Sequence, residues 1–440
     1  MAALDIAILG PALPALRVEF GLGPSGSAWL VTLYVLGNLV GTPLLGSLSD
    51  RWGRGRAYRA SVTLFALGSV LILVAPNLLV LLAARALQGF GAGGVFPVAA
   101  ATIGDVVPPE RQGRVLGAIG ATFGIAFLLG PPLGALVLSV ADWRWVFGLN
   151  LPLSALVLVW SLRCLPDRPS AGTKPLDVAG IAAFTGGLSL LAVAASTRNL
   201  VEDGLARLAL AILGLGLLAL LPWIESRTSH PFLPFSFLRQ RKIAIPLLLG
   251  LGAGLGEVGT MFLPDHAVRS LGVDPARAGF LLTALVVGLT IGAPTAGRLT
   301  DRFGARPVLF FGALLQALGL GIFGLDTTPT DMTWHLGGAL LGLGMASLLG
   351  APLRVALLHN VPKESKTMAQ SLLSVAHAVG QIGTASLLAA ITLPHPNAPT
   401  SNHQPAFLVA AILGLLLLPL TLLLPPALKR PPPTPQAPLP

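Results

Sequence analysis

The sequence predicts an all-α membrane protein of about fourteen transmembrane helices. Three observations carry this prediction. Of 440 residues, 54% are hydrophobic and only 10% are charged, whereas a soluble domain carries about 25% charged residues. A surface this poor in charge must face lipid. Apolar stretches also recur between charged or Pro/Gly-rich breaks along the whole chain, and a loop motif near residue 50 returns near residue 300. The 52 glycines and 38 prolines fit membrane helices, which tolerate both. Glycine lacks the three-residue period of collagen, and apolar content is too high for disorder. The single Cys164 excludes an intrachain disulfide and a cysteine-rich metal site. No basic n-region of a cleavable signal peptide is visible.

A hydrocarbon core of about 30 Å needs roughly 20 apolar residues of helix. The first apolar stretch, 2–16, ends ahead of Arg17. At about 1.5 Å per residue it reaches only about 22 Å, so part of it is expected upstream of Met1. The second, 27–48, runs into the charged loop from Asp50. Stretches 58–75 and 78–101 are parted by Pro76-Asn77. Next come 113–138, after Pro108-Pro109, and 144–163, after Asp142. Stretches 177–196 and 205–224 lie beyond a Pro- and charge-rich break. Then 243–263 follows Lys242, 277–297 ends at Arg298, and 307–325 ends at Asp326. The last three are 334–357, 368–392 and 405–424, and the Pro-rich end of the chain is expected to be a disordered tail.

Orientation follows from Lys and Arg in the loops. An even number of spans puts both termini on one side. The loops and tail of that side hold twenty of the 28 basic residues, the opposite loops six, and Arg85 and Arg354 lie inside spans. Both termini are therefore expected in the cytoplasm, with the chain in the cell (inner) membrane. The net charge of +10 reads as an orientation signal, and nucleic acid is not expected as a partner.

The loop Gly46–Arg56 reads GSLSDRWGRGR, and Gly297–Arg306 reads GRLTDRFGAR, at an offset of 251 residues. Removing two helices between them leaves a length natural for six spans. The expected organisation is a six-helix bundle over 1–163, a two-helix insertion with flanking loops over 164–242, a second six-helix bundle over 243–424, and the tail 425–440. Two homologous bundles about a midplane site are a transporter plan. The inserted helices have few polar residues and are expected to pack peripherally against lipid.

Ionisable groups inside spans are costly and usually face a cavity or a partner. Asp5 reads as a proton carrier or as a wet residue at a helix end. Glu257, in a Gly-rich run without a nearby basic residue, reads as a proton or cation site, or as a local hydrogen-bonder. His377 can relay protons or serve as a structural hydrogen-bonder. Arg354 is expected to snorkel. Thr32, Asn38, Gln88, Asn150, Gln316 and Gln381 are the candidates for a cavity lining. The G-x-G-x-x-G of Gly89–Gly94 follows no strand and carries no dinucleotide reading. No nucleophile–base set, Walker-type lysine loop or metal cluster appears, so neither an enzyme nor a bound cofactor or metal is expected.

Leu4-Asp5 with Ala12-Leu13-Pro14, the loop Gly46–Arg54, Arg85-Ala-Leu-Gln88-Gly89-Phe-Gly91, and Gly117, Gly130, Pro131 and Gly134 together resemble the major facilitator superfamily. Within it, these residues are similar to the fourteen-helix drug:proton antiporter branch, as are Trp143-Arg144-Trp145 and Asn150-Leu-Pro152. The resemblance implies a major facilitator fold and proton coupling through Arg85, answering to Asp5. It implies a conformational latch of Asp50, Arg54 and Asp105, framed by Gly46, Arg51 and Gly53 and repeated at Asp301. Gly117, Gly130, Pro131 and Gly134 would form the stiff antiporter motif, with Ala126 and Ala135 where the family prefers glycine. The expected function is proton-coupled efflux of a lipophilic or cationic small molecule by a monomer in the bilayer. A carrier of a polar metabolite and a non-transporting sensor or scaffold are the alternatives.

Overall fold

The computed structural model describes residues 1–22, 24–165, 177–195, 204–228, 238–274, 280–362, 365–392 and 403–424. The expected tail at 425–440 and several basic loop residues, among them Arg168, Lys174 and Lys363, lie outside the described residues. Sixteen helices account for nearly all the rest. They are α1 Ala2–Phe20, α2 Pro24–Trp52, α3 Arg54–Leu73, α4 Leu78–Val106, α5 Pro109–Val140, α6 Arg144–Gly148, α7 Asn150–Cys164 and α8 Val178–Ala195. They continue with α9 Gly204–Ser226, α10 Arg241–Leu271, α11 Thr283–Phe303, α12 Ala305–Leu325, α13 Asp331–Leu349, α14 Ala351–Leu358, α15 Lys366–Thr392 and α16 Gln404–Leu422.

Local chemistry explains many of the ends. Asn77 caps α4 by accepting from the Val80 amide, and Thr330 with Thr333 forms a capping box on α13. Gly53 and Gly304 have φ of 90° and 85°, a region where a side chain is strained. They turn the chain from α2 to α3 and from α11 to α12. This is why each copy of the loop motif carries glycine there.

Ten helices among the described residues are long and apolar enough to cross a membrane, fewer than the fourteen spans expected. The four remaining stretches are still helical, as α1, α8, α11 and α15. The shortfall has a physical reason in three of them. α1 carries Asp5, Arg17 and Glu19, α11 ends on Arg298, Asp301 and Arg302, and α15 holds Lys366, Gln370, His377 and Gln381. In each of them charged or polar side chains interrupt the apolar run. The first helix also runs four residues past its expected end at 16.

The sequence repeat extends to packing. Helix α2 packs on α4, α3 on α4, α1 on α5 and α3 on α7; in the same way α11 packs on α13, α12 on α13, α10 on α15 and α12 on α16. Glycines mark the matching contacts. A Cβ at Gly37 would meet the Ala86 carbonyl at 2.1 Å, and one at Gly288 the Ala339 carbonyl at 2.7 Å. One at Gly68 would meet the Gln88 amide nitrogen at 2.7 Å, and one at Gly319 the Leu341 amide nitrogen at 2.6 Å. Small residues let backbones approach where lipid supplies no hydrophobic drive between helices. The two sets of helices meet along two seams, α5 with α11 and α2 with α15.

Helix α8 departs from expectation. It packs on α2 and α15, joining Ile181, Phe184 and Leu188 to Leu39, Leu372 and Val375 in one buried cluster. The hairpin α8–α9 therefore covers the α2–α15 seam, and α9 turns Leu205, Leu208, Ile212 and Trp223 outward. An α8 face of Ile, Phe and Leu buries as well against helices as against lipid, so hydropathy alone does not separate the two.

Candidate functional site

Three polar constellations lie inside this frame. The first is fully buried and centres on Asp5. Arg85 Nη1 donates to Asp5 Oδ2 at 2.6 Å. Gln88 Nε2 and Asn150 Nδ2 both donate to Asp5 Oδ1 at 2.8 Å. Arg85 also donates to Gln88 Oε1 and to the Leu30 carbonyl, and its guanidinium lies 4.5 Å from the Tyr34 ring centre. All three side chains that bond the Asp5 carboxylate donate to it. Helix α4 supplies both Arg85 and Gln88 because they stand one turn apart on one face. Gln88 and Asn150 were expected to line a cavity. They are completely buried and hold Asp5 instead.

The second lies between α10 and α15. His377 Nε2 and Glu257 Oε2 are 2.8 Å apart, with side chains 24% and 35% exposed. Gln381, one turn along α15, also hydrogen-bonds Glu257. The sequence treats Glu257 as lacking a basic neighbour, because His377 is 120 residues away. The structure brings them together as a half-exposed acid–base pair that can hold a proton between its two members. Gln316, another candidate lining residue, is buried against Gly256 with both amide groups unpartnered. Thr32 and Asn38 are half-buried on α2, where Asn38 accepts from Thr42.

The third gathers the copies of the loop motif at one end of the bundle. Arg54 Nε donates to Asp105 Oδ2 at 3.0 Å, and Arg54 also contacts Asp50 and Thr367. Asp50 accepts from the Thr367 hydroxyl and the Met368 amide at the start of α15. Asp301, its counterpart, accepts from the Gly113 and Arg114 amides near the start of α5, each at 2.7 Å. Each copy thus ends on a carboxylate that reaches the positive end of a helix across a seam. Lys366 Nζ lies 3.2 Å from Asp105 Oδ1.

Lys366 and Thr367 were missed by sequence reasoning. The signal was the polar start of α15, at the position that matches Gly113-Arg114 on α5. Arg51, expected in this latch, has no ion pair among the described residues, and its Nη2 is buried without a partner. Below the carboxylates the seams close on small residues. Gly46 faces Ser371, and Gly297 faces Gly113 and Gly117. Beside this cluster, burial and the nearby Lys366 ammonium hold His359 below the ordinary imidazole range.

The glycine face of α5 serves two neighbours. Gly117 receives α11, while Gly130 receives Ala7 and Gly134 receives Pro11 of α1. Pro131 faces outward. Arg354 does not snorkel: it lies against Phe96 and Gln370.

The Major Facilitator Superfamily model matches residues 1–269 and again 247–440. The chain belongs to the Major Facilitator Superfamily. It is 34% identical over 394 residues to the uncharacterised transporter YfiU of Bacillus subtilis, covering 86% of this chain and 75% of that one. It is 31% identical over 406 residues to the multidrug resistance protein B homolog of Mycobacterium tuberculosis, covering 89% and 74% of the two chains. Among solved structures, the human organic anion transporter MFSD10 superposes with a TM-score of 0.69 at 18% identity, covering 95% of this chain and 96% of its own. The proton:xylose symporter XylE superposes with a TM-score of 0.64 at 17% identity, covering 94% and 91%. These two show the shared fold. Members of the superfamily are transporters, and the chain is a multi-pass membrane protein of this class.

Proposed function

We propose that this superfamily member is a proton-coupled exporter of lipophilic or cationic small molecules, of the fourteen-helix drug:proton antiporter branch. In this reading 1–163 and 243–424 are the rocking bundles, and 164–242 is the insertion between them. Both termini are cytoplasmic, so the latch of Asp50, Arg54, Asp105, Lys366 and Asp301 closes the cytoplasmic end. The observation that carries the reading is one carboxylate paired with a basic side chain in each bundle. Asp5 sits with Arg85, and Glu257 sits with His377. Protonating either carboxylate weakens its hold on a cationic partner and so links proton uptake to a change of packing. The half-exposed Glu257 can also attract a cationic substrate, which makes proton and substrate competitors. The relatives named for multidrug resistance support the substrate class.

The test uses purified protein in liposomes with an acidic interior and a pH-sensitive dye. Adding a lipophilic cation outside is expected to drive proton efflux. Asp5→Asn and Glu257→Gln are expected to abolish it without loss of folded protein. Unchanged proton efflux in both variants rules out these coupling sites. No proton movement with any such compound favours a polar-metabolite carrier, to be screened by direct uptake.

A further inference from the structure

Arg354 stands on the first turn of α14, just past the break that Gly350 makes between α13 and α14. Its Nη1 donates to Gln370 Oε1 at 3.1 Å, and Gln370 Nε2 donates back to the Arg354 carbonyl at 3.2 Å. The guanidinium lies 3.9 Å from the ring centre of Phe96 on α4. Phe96 in turn meets the edge of Phe123 on α5 at 5.6 Å. The Nε of Arg354 is shut from solvent and has no partner. Among the described residues no carboxylate lies within ion-pair distance of this guanidinium, whereas Arg85, Arg54 and Lys366 each have one.

Arginine stays charged at any physiological pH. A partly buried charge without a counter-ion is costly, and a group retained at that cost inside a membrane protein points to function. The place also fits a ligand. Arg354 and Gln370 come from the second bundle, and Phe96 and Phe123 come from the first, so the cluster bridges both. Gln370 is seven residues from His377 on α15, about 10 Å along the helix. Through Gln370 and His377, the cationic Arg354 and the acidic Glu257 therefore meet α15 at different depths.

We propose that Arg354 and Gln370, with the rings of Phe96 and Phe123, form an anion subsite that takes aromatic carboxylates. The carboxylate takes the unpartnered Nε and the adjacent Nη of the guanidinium as Gln370 and the rings part to admit it, the geometry of a two-point pair. The aromatic body lies on the phenylalanine rings. This deepens the transport reading above and rests on it, since the four residues come from both halves of the chain. It narrows the lipophilic class to molecules with a carboxylate, including zwitterions whose amine reaches Glu257.

Full-length protein in detergent is titrated with 2-naphthylacetate and with its methyl ester by equilibrium dialysis. The acid is expected to bind about tenfold or more tightly than the ester, the worth of a charge-assisted bond. Arg354→Gln is expected to bring the acid to the level of the ester and leave the ester unchanged, with Arg354→Lys in between. Should Arg354→Gln not yield monodisperse protein, Gln370→Leu is expected to show the same acid-selective loss. Equal binding of acid and ester overturns the proposal, as does no binding of the acid to folded wild type. A variant that weakens both alike makes Arg354 a structural tie and also overturns it. Acid-selective binding in a protein that moves no protons overturns the coupling and supports this subsite.

Discussion

Asp5 and Arg85 are 0% and 1% exposed, so neither can turn to water if the other is lost. Removing Arg85 strands a buried carboxylate with only neutral donors, which costs about 3–5 kcal/mol. Arg85→Ala is therefore expected to lower the thermal midpoint strongly, and the double variant with Asp5→Ala to lose far less than the sum of the two singles. Thermal melts of both singles and the double in detergent read this coupling, and additive losses would mean that the pair does not act as a unit. Asn150→Ala removes one of three donors and should cost less, about 1–3 kcal/mol. The charged members of this cluster were legible because a charge in an apolar run has no cheap explanation. Gln88 and Asn150 were placed in a cavity instead, since polarity in a sequence carries no direction. The Glu257–His377 pair was hidden for a related reason. Each residue was visible alone, but their meeting depends on how α10 lies on α15.

At the scale of helices, close approach is written in glycine. A Cβ at Gly41 would fall 2.0 Å from the Phe90 carbonyl on α4, while a Cβ at Gly216 on α9 would have no heavy atom within 4 Å. The same substitution should therefore have opposite signs. Gly216→Ala gains about 0.5–1 kcal/mol of helix propensity. Gly41→Ala forces α2 and α4 apart and is expected to lose about 1–3 kcal/mol. Melting midpoints of the two variants test this, and a stabilised Gly41→Ala would mean that the α2–α4 contact is looser than described. The helices were largely legible from apolar runs and their breaks. Their neighbours were less so. The loop repeat at Gly46 and Gly297 announced a duplicated unit, but only the packing shows that Gly37 and Gly68 recur as Gly288 and Gly319. The position of α8 was not legible at all, because a lipid-facing helix and one covering a seam have the same composition.

Across the whole molecule, the two copies of the loop motif hold each other's bundle. Asp50, at the end of α2, takes donors from the start of α15, and Asp301, at the end of α11, takes donors from α5. The arrangement is reciprocal but unequal. Asp50 has Arg54 beside it, while the matching position after Asp301 is Ala305. The α2–α15 seam is also covered by α8, whereas the short helix α14 packs across α5 and α11. Asp301 therefore carries its seam with two backbone bonds and little else that is charged. Hydrogen bonds to a charged group contribute about 1.5–3 kcal/mol each. Neutralising Asp301 should then shift the balance toward a latch-open state by about tenfold or more. Asp50→Asn should shift it less, because the Arg54–Thr367 contact and the Lys366–Asp105 pair remain to bridge the two sets there. Spin labels at Glu110→Cys and Phe303→Cys, both exposed, with the free Cys164 replaced by serine, report the α5–α11 distance. A longer distance population is expected to grow strongly in Asp301→Asn and weakly in Asp50→Asn. Equal growth in the two variants would mean that the bundles part as rigid bodies at both seams together, and that the cover supplied by α8 has no part in which seam yields first.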